Sequence, residues 1–212
     1  MKDSEKSRVQ LMVELKRLRK EHRRGAPRAD AAPPIAVFPA LAALHAVMSA
    51  LHGQADRERA MSDALGALCV AGGWEVGLFW HEASPQGELR CVAAWSDPHV
   101  AFDAIASLSR QTTFRSGFGP LGRAWSEADA GELVDLAMDH RSPRALYLAR
   151  EGLRWAAYHP IRVAGRIVGA FELVGIDAPE PDPNGRLLLD LAGHLVRSSF
   201  SNEPRPASAG RR

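Results

Sequence analysis

The chain has 212 residues, enough for about one large domain or two small ones. Its composition, 46% hydrophobic and 25% charged, lies near the average of globular proteins and excludes a fully disordered or fibrous chain. The net charge of +2 is unevenly distributed along the chain. Residues 1–28 carry ten basic and four acidic side chains, whereas the rest of the chain carries 17 basic and 21 acidic ones. Since the body is mildly acidic, we expect it not to bind nucleic acid.

The cysteines, histidines and apolar runs limit the chemistry and the compartment. Cys69 and Cys91 are too few for a disulfide scaffold or a four-cysteine zinc site, and both lie in apolar segments. The eight histidines include no pair with the i, i+4 spacing of a helical zinc motif, so we expect no metal site. No apolar run approaches the about 20 residues of a membrane span, and the N-terminus lacks an apolar secretory core. We therefore expect a reduced, cytoplasmic protein.

The N-terminal part of the chain divides by composition. It comprises a basic amphipathic helix (1–24), a Pro- and Ala-rich linker (25–39) and a connecting helix (40–53). In the first segment, Leu11, Leu15 and Leu18 recur at helical spacing over fewer than two heptads. Three roles stay open for it: a solvated helix docked on the body, a helix that dimerises or carries a signal, and a contact with a polyanion. At the other end of the chain we expect a disordered tail at 201–212.

From residue 54 onward the hydrophobic period alternates between that of helices and that of strands. The predicted elements are a helix at 55–71, strands at 74–82 and 88–95, a helix at 98–110, a glycine-rich loop and short helix at 115–125, a strand at 132–136, a helix at 142–151, strands at 153–163 and 166–176, and a helix at 184–200. Turn residues at 84–87 and at Ala164-Gly165 predict two hairpins. Two hairpins and a further strand favour an antiparallel sheet of five or six strands flanked by helices, which is an α+β domain.

Three stretches of this segment resemble the GAF domain, a small-molecule-sensing relative of the PAS fold. They are the opening hairpin WEVGLFWHE…GELRCVAAW (74–95), the loop GFGPLGRAW (117–125) and the closing hairpin GLRWAAYHPIRVAGRIVGAFEL (152–173). The loop is similar to the family's Gly-x-Gly-Leu-Pro-Gly-Arg-Val-Trp, with the Leu-Pro pair inverted to Pro120-Leu121. The resemblance covers about residues 55–200 and implies a GAF-like domain at 54–200, with a central antiparallel sheet and a short helix that walls a pocket.

Three specialised functions of GAF domains do not match these residues. The segment 139–155 resembles the bilin-attachment region of phytochrome-type GAF domains, but Arg141 stands at the cysteine position and Ala145 at the histidine position, so we expect no covalent bilin. The Asn-Lys-Phe-Asp-Glu signature of cyclic-nucleotide-binding GAF domains is absent. The reductase of free methionine sulfoxide on this fold needs two cysteines in pocket loops, whereas Cys69 is predicted on a helix and Cys91 within a strand. We therefore expect a non-enzymatic module.

Aromatic residues on the elements that build a GAF pocket form the predicted ligand-binding set. With one histidine, they are Trp80, Trp95, Phe114, Trp125, Trp155, Tyr158 and His159. An aromatic residue at any one of these positions is more often part of the hydrophobic core than of a ligand site. Together, however, the residues predict a mostly apolar pocket with few polar groups. Strand alternation sends Trp155 and Tyr158 to opposite faces, so they do not both line it. Arg123, Arg144 and Arg154 are candidates to orient an anionic group, against an ordinary surface role.

We therefore predict a sensory or regulatory module that binds an unknown small molecule or a partner protein, with no cofactor identified. We expect a homodimer formed through the helices at 55–71 and 184–200. The segment ELKRLRKE resembles helices that flank sensor modules of bacterial histidine kinases, so a histidine kinase or another signalling protein is the expected partner. Two alternatives remain open. One is a ligand-free interaction or dimerisation module, favoured if Trp80, Trp125 and Trp155 fill the pocket, and the other is a GAF-fold redox enzyme.

Overall fold

The computed structural model describes Glu14 and residues 37–53, 56–84, 87–98, 103–127, 133–138, 142–163, 166–178 and 183–200. The predicted tail at 201–212, the predicted basic helix apart from Glu14, and the linker up to residue 36 lie outside these residues. The described parts form one sheet with helices on both faces, which confirms the predicted α+β class. Among them, no helix is both long and apolar enough to cross a membrane.

Six strands form the sheet: β1 (Val76–Ser84), β2 (Glu88–Ser96), β3 (Thr113–Arg115), β4 (Leu133–Asp135), β5 (Trp155–Val163) and β6 (Arg166–Gly175). They stand in the order β3-β2-β1-β6-β5-β4, and every neighbouring pair is antiparallel. Both predicted hairpins are present, and their strands end within two residues of the predicted bounds. Because β1 also pairs with β6, the two hairpins lie side by side in the centre of the sheet. The short edge strand β3 was not among the predicted strands.

The described helices are α1 (Val37–Gly53), α2 (Arg57–Gly72), α3 (Asp103–Arg110), α4 (Gly119–Glu127), α5 (Pro143–Arg150) and α6 (Pro183–Phe200), with a 3-10 turn at Leu136–Met138. The first begins at Val37, inside the predicted linker, which corrects the predicted start at residue 40. Pro39 fits there because it lies in the first helical turn, where its missing N–H has no intrahelical partner to lose.

Polar side chains mark where two of the helices begin. Oδ1 of Asp56 accepts hydrogen bonds from the backbone N–H groups of Glu58 and Arg59, at 3.0 and 3.2 Å, so α1 and α2 are separate helices. At the start of α5, Oγ of Ser142 accepts a hydrogen bond of 3.1 Å from the N–H of Ala145 and so caps the helix. Such a cap stabilises its helix by about 1 kcal/mol.

The sheet separates two apolar cores. On one face, called the α2 face, helices α1, α2 and α6 pack over Phe79 and Phe171, whose ring centroids are 5.8 Å apart. On the other, the α5 face, helices α3, α4 and α5 pack over Trp80 and Tyr158. Residues 79 and 80 therefore serve opposite cores, as the two-residue period of a strand requires. The large apolar side chains by which α2 packs against the sheet are buried on the α2 face: Met61, Leu65 and Leu68.

A β-bulge in β2 changes the face that its later residues reach. Trp80 lies opposite Cys91, and the residue before Trp80 lies opposite Ala93, so Val92 is an extra residue in β2. As a result Cys91 belongs to the core of the α5 face, whereas Ala93 and Trp95 belong to that of the α2 face. Strict alternation would have kept Cys91 and Trp95 on the same face.

Candidate functional site

A cleft lies on the α5 face, bounded by both edge strands of the sheet, by α4 and by α5. Its volume is about 1360 Å³ and it is partly open to solvent. Its aromatic and charged lining residues are Phe114, Phe118, Arg123, Asp135, Arg144, Tyr147 and Trp155. The cleft therefore combines flat apolar surfaces with a small number of charged groups, which is the usual composition of small-molecule sites.

The glycine-rich loop before α4 forms one wall of the cleft. Gly117 and Gly119 have φ angles of +78° and +67°, in the left-handed region that disfavours residues with a Cβ. The N–H of Gly117 donates a hydrogen bond of 2.8 Å to the carbonyl of Gly122, which closes the loop on itself. A Cβ at Gly122 would collide with the carbonyl oxygen of Arg115, so this glycine permits the close approach of two backbone segments. The loop leaves Phe118, 72% exposed, at the rim of the cleft.

A buried ion pair forms the inner wall. Nη1 of Arg144, in α5, donates a hydrogen bond of 2.7 Å to Oε1 of Glu172, in the central strand β6. The two side chains are 7% and 0% exposed. Nε and Nη2 of Arg144 donate to Oγ of Ser109 at 3.2 and 3.0 Å, so the guanidinium also joins α5 to α3. Three elements around the cleft are therefore tied together by one arginine.

Trp80 completes this polar network from the sheet. Its indole Nε1 donates a hydrogen bond of 2.8 Å to Oε2 of Glu172, so both carboxylate oxygens have a partner. The guanidinium carbon of Arg144 lies 5.4 Å from the centre of the Trp80 ring, within cation–π range. Phe114, which lines the cleft, meets the Trp80 ring edge-on with centroids 4.9 Å apart. Trp80 thus supports the cleft from behind without lining it.

The pKa of Arg144 follows from these contacts. Burial alone would lower the pKa of the guanidinium, but the charge and hydrogen bond of Glu172 outweigh it, so the net shift is upward. Arg144 therefore stays cationic, and the pair is a true ion pair in a place that excludes most water. Arg144 was expected either to orient an anionic group or to serve as an ordinary surface arginine, and its burial rules out the surface role. The sequence contains one signal for this ion pair, because Glu172 lies between apolar neighbours in a predicted strand. A carboxylate buried in such a strand requires a partner.

The structure brings only part of the predicted ligand-binding set to the cleft. Phe114 and Trp155 line it. Trp125 and Tyr158 are buried in the core of the same face and are not among the lining residues described, and the same holds for Trp80. Sequence reasoning missed Tyr147, which lines the cleft from α5.

Trp95 and His159 lie on the α2 face, away from the cleft. Trp95 reaches that face through the bulge in β2 and packs there so tightly that a Cβ at Gly66 would lie 2.6 Å from its Nε1. Nε2 of the buried His159 lies 3.1 Å from Oδ1 of Asp190 in α6. Burial lowers the pKa of His159 by more than the charge of Asp190 raises it. His159 therefore joins β5 to α6, and its neutral form is favoured relative to a free histidine.

A second ion pair lies at the other end of the cleft. Nη2 of Arg154 lies 3.1 Å from Oδ2 of Asp135, and both groups are partly exposed. The Arg154 guanidinium also stacks 5.3 Å from the centre of the Trp155 ring. Trp155 therefore contacts a cation and also lines the cleft.

Both cysteines of the chain are buried free thiols. Burial, and next the charge of Glu172, raises the pKa of Cys91 to about 12. Burial, followed by Glu75, raises the pKa of Cys69 well above its ordinary value. Neither is among the lining residues of the cleft, and neither has the lowered pKa of a reactive thiolate. In the described part of the chain, no group of three or more histidine, cysteine or acidic side chains is placed to hold a metal ion.

Comparisons with other proteins identify the fold. No protein-family model matches the chain, and no curated protein matches it significantly. Among solved structures it is similar to the GAF domain of nlh2 from A. aeolicus in an inactive state, with 15% identity and a TM-score of 0.59 over 78% of this chain and 98% of that one. It is also similar to the free methionine-R-sulfoxide reductase of Neisseria meningitidis in complex with its substrate, with 17% identity and a TM-score of 0.59 over 81% and 93%.

A third similar structure is the chromophore-binding domain of a bacteriophytochrome from R. palustris, with 13% identity and a TM-score of 0.59. The match covers 82% of this chain and 63% of that domain. At these identities the similarity is one of fold. The chain has the GAF fold, which confirms the fold that its sequence motifs implied.

Proposed function

We propose that this chain is a sensory or regulatory GAF module that binds a small molecule in the cleft. The observation that carries the proposal is a cleft of about 1360 Å³ in which aromatic side chains surround a buried arginine. Of the predicted ligand-binding residues we keep Phe114 and Trp155, since both line the cleft, and we add Tyr147 and Arg144. The similar structures of a chromophore-binding domain and of a reductase with its substrate support small-molecule binding on this fold.

A ligand in the cleft has a route to the middle of the sheet. It changes the output of the module only if it binds two states with different affinity. A ligand that contacts Arg144 bears directly on Glu172 of β6 and on Ser109 of α3, because one guanidinium joins them. We propose that this network is the element that responds to the ligand.

The second candidate function is a protein-interaction module without a small ligand. Phe118 and Met138, at the rim of the cleft, are 72% and 74% exposed and would offer apolar contact area to a partner protein. Of the three tryptophans on which this alternative depends, Trp80 and Trp125 fill the interior of the α5 face, whereas Trp155 borders the cleft. The redox-enzyme alternative has less support, because both cysteines are buried with raised pKa values.

Native mass spectrometry of the protein purified from its own host tests the small-molecule proposal. We expect an added mass that is released on unfolding. Thr113→Trp, at an exposed position in the cleft lining, should reduce its occupancy, whereas Arg150→Trp, at the exposed end of α5, should not. A protein that carries no added mass, and that no compound from a small-molecule library stabilises, would contradict the proposal and favour the interaction module.

We also propose that the module is a homodimer, with its contact on α1 and α6. The apolar residues of α2, expected to serve this contact, are buried against the sheet within the chain. Four large apolar side chains of the other two helices are instead exposed: Leu41, Met48, Leu187 and Leu191. A histidine kinase or another signalling protein remains the proposed recipient of the signal.

Analytical ultracentrifugation tests the dimer. The double variant Leu187→Glu and Leu191→Glu should shift the protein toward the monomer. Val70→Glu, on an exposed position of α2, is the matched control and should leave the association unchanged. A wild-type protein that is monomeric at every accessible concentration would contradict the dimer, and loss of association with Val70→Glu alone would move the contact to α2.

A further inference from the structure

We propose that the cleft recognises an oxyanion, a carboxylate or a phosphate, carried on a flat apolar body, and that Arg144 anchors the oxyanion. The inference rests on the proposed function, since it names the class of small molecule that the cleft takes. Four features of the described residues carry it: the free donors of Arg144, the rigidity of its guanidinium, the balance of charge and the aromatic lining.

Arg144 retains unused hydrogen-bond donors beside the cleft. A guanidinium carries five N–H donors. Three hydrogen bonds engage Nε, Nη1 and Nη2 once each, with Ser109 and Glu172 as acceptors. One N–H on each terminal nitrogen therefore has no acceptor among the residues that the structure describes. Because Arg144 also lines the cleft, these two donors are available to a group bound there.

The guanidinium is held rigidly in a place with little water. Its 7% exposure, its three hydrogen bonds and its contact with the Trp80 ring restrict its orientation before any ligand arrives. A pre-oriented planar fork suits the two oxygens of a carboxylate or phosphate, and charge-assisted hydrogen bonds are stronger where water is excluded. A lysine at this position would offer a point charge without the fork.

The charges around the cleft favour an anion. Arg123, Arg144 and Asp135 line it, while Arg154 and Glu172 are the ion-pair partners of Asp135 and Arg144. Three cations thus face two carboxylates, and the exposed Arg123 is the cation without a carboxylate partner among the described residues. Arg144 supplies the geometry for an oxyanion, and Arg123 supplies the excess positive charge.

Aromatic side chains determine the rest of the ligand. Phe114, Tyr147 and Trp155 line the same cleft as Arg144 and come from three different elements. Aromatic rings bind flat apolar groups through offset and edge-to-face contacts in addition to area burial. The cleft is therefore suited to an aromatic or conjugated acid, rather than to a bare inorganic anion or a sugar.

Isothermal titration with a matched pair of probes tests the inference on the full chain. We expect 2-naphthoate to bind at least tenfold more tightly than 2-naphthamide, which has the same ring and no charge. Arg123→Gln should weaken 2-naphthoate binding several-fold and leave 2-naphthamide binding unchanged. Arg150→Gln, on the exposed end of the same helix as Arg144, is the control and should change neither. Titration of 2-naphthyl phosphate decides between the two oxyanions.

Arg144→Lys tests the anchor itself and should abolish the preference for the charged probe, provided that circular dichroism shows a folded protein. If that variant does not fold, the comparison of the two probes and the effect of Arg123→Gln still test whether the cleft recognises an oxyanion. Equal affinity for the two naphthyl compounds would overturn the oxyanion inference and leave the cleft as a binding site. If neither probe binds and no compound of a chemically mixed library binds, the proposed function fails together with the inference.

Discussion

Nη1 of Arg144 and Oε1 of Glu172 lie 2.7 Å apart in the interior of the protein, and the carboxylate is fully buried. The pair joins a helix at the cleft to the central strand of the sheet. Removing two charges from water costs several kcal/mol each, and the cost is offset here by four hydrogen bonds among Arg144, Glu172, Ser109 and Trp80. The pair thus fixes α5, which lines the cleft, to the middle of the sheet.

Breaking this pair should destabilise the protein strongly. Glu172→Ala leaves Arg144 buried without its partner, and we expect the free energy of unfolding to fall by about 3–5 kcal/mol, as for other buried pairs that lose one member. Urea denaturation measures it. Glu58→Ala, which removes the exposed partner of Arg110, is the matched control and should cost less than about 1 kcal/mol. Equal effects of the two substitutions would show that the Arg144–Glu172 pair contributes no more than a surface contact.

Two helical glycines should respond in opposite directions to a methyl group. In Gly122→Ala the new Cβ meets the carbonyl of Arg115, so we expect a loss of about 1–3 kcal/mol, typical of overpacking. In Gly193→Ala the nearest atoms, those of Ile161, lie at 3.6 and 3.8 Å, an ordinary contact, so we expect a gain of about 0.4–1 kcal/mol from the lower entropy of the unfolded chain. Thermal or urea unfolding measures both. A stabilising Gly122→Ala would contradict the close approach that shapes the cleft loop.

The stability of the fold should depend on the protonation of His159. Its pKa is lowered in the folded protein by burial, which outweighs the effect of Asp190, whereas the unfolded chain takes up the proton near pH 6.5. Below that pH the unfolded state binds more protons than the folded state, so the free energy of unfolding falls as the pH falls. Above that pH the contribution of neutral His159 to stability is fully present. Between pH 8 and pH 5 the urea midpoint should fall more for wild type than for His159→Gln, which lacks the titrating imidazole. His194→Gln, on the exposed side of α6, should keep the wild-type pH dependence.

Both thiols should be unreactive in the folded protein. Since Cys69 and Cys91 are buried and their pKa values are raised, the thiolate that attacks a disulfide reagent is scarce. With Ellman's reagent at pH 8 we expect negligible release of chromophore from native protein and two equivalents after denaturation. Rapid labelling of one thiol in the native state would contradict the buried placement and would revive the redox-enzyme alternative.

The parts of the fold that the sequence predicted correctly depend on local signals. Alternation, turn residues and the Ser142 cap specify hairpins and helix ends within a few neighbouring residues, and the GAF motifs supplied their order. The extra residue Val92 was not predictable from alternation, and it sends Trp95 to the α2 face. The bulge therefore explains why Trp95, one residue of the predicted ligand-binding set, lies away from the cleft.

The buried network was not predicted because it is formed by residues that are distant in sequence. Arg144, Glu172, Ser109 and Trp80 lie on four different elements, and no periodicity relates them. A carboxylate in an apolar strand indicated that a partner exists, but only the tertiary structure identifies it. Likewise the apolar stripe of α2 looked available for a dimer contact, and packing against the sheet covers it.

The central claim is that the cleft binds a small molecule and that Arg144 contacts it. The most direct measurement is a two-dimensional ¹H–¹⁵N correlation spectrum, with the arginine side chains observed, during titration with 2-naphthoate. We expect shifts concentrated on the residues that line the cleft and on Ser109 and Glu172 behind it, together with a shift of the Nε–H signal of Arg144, whose donor already bonds Ser109. Shifts centred on α1 and α6, or an unchanged Arg144 signal at saturation, would contradict it.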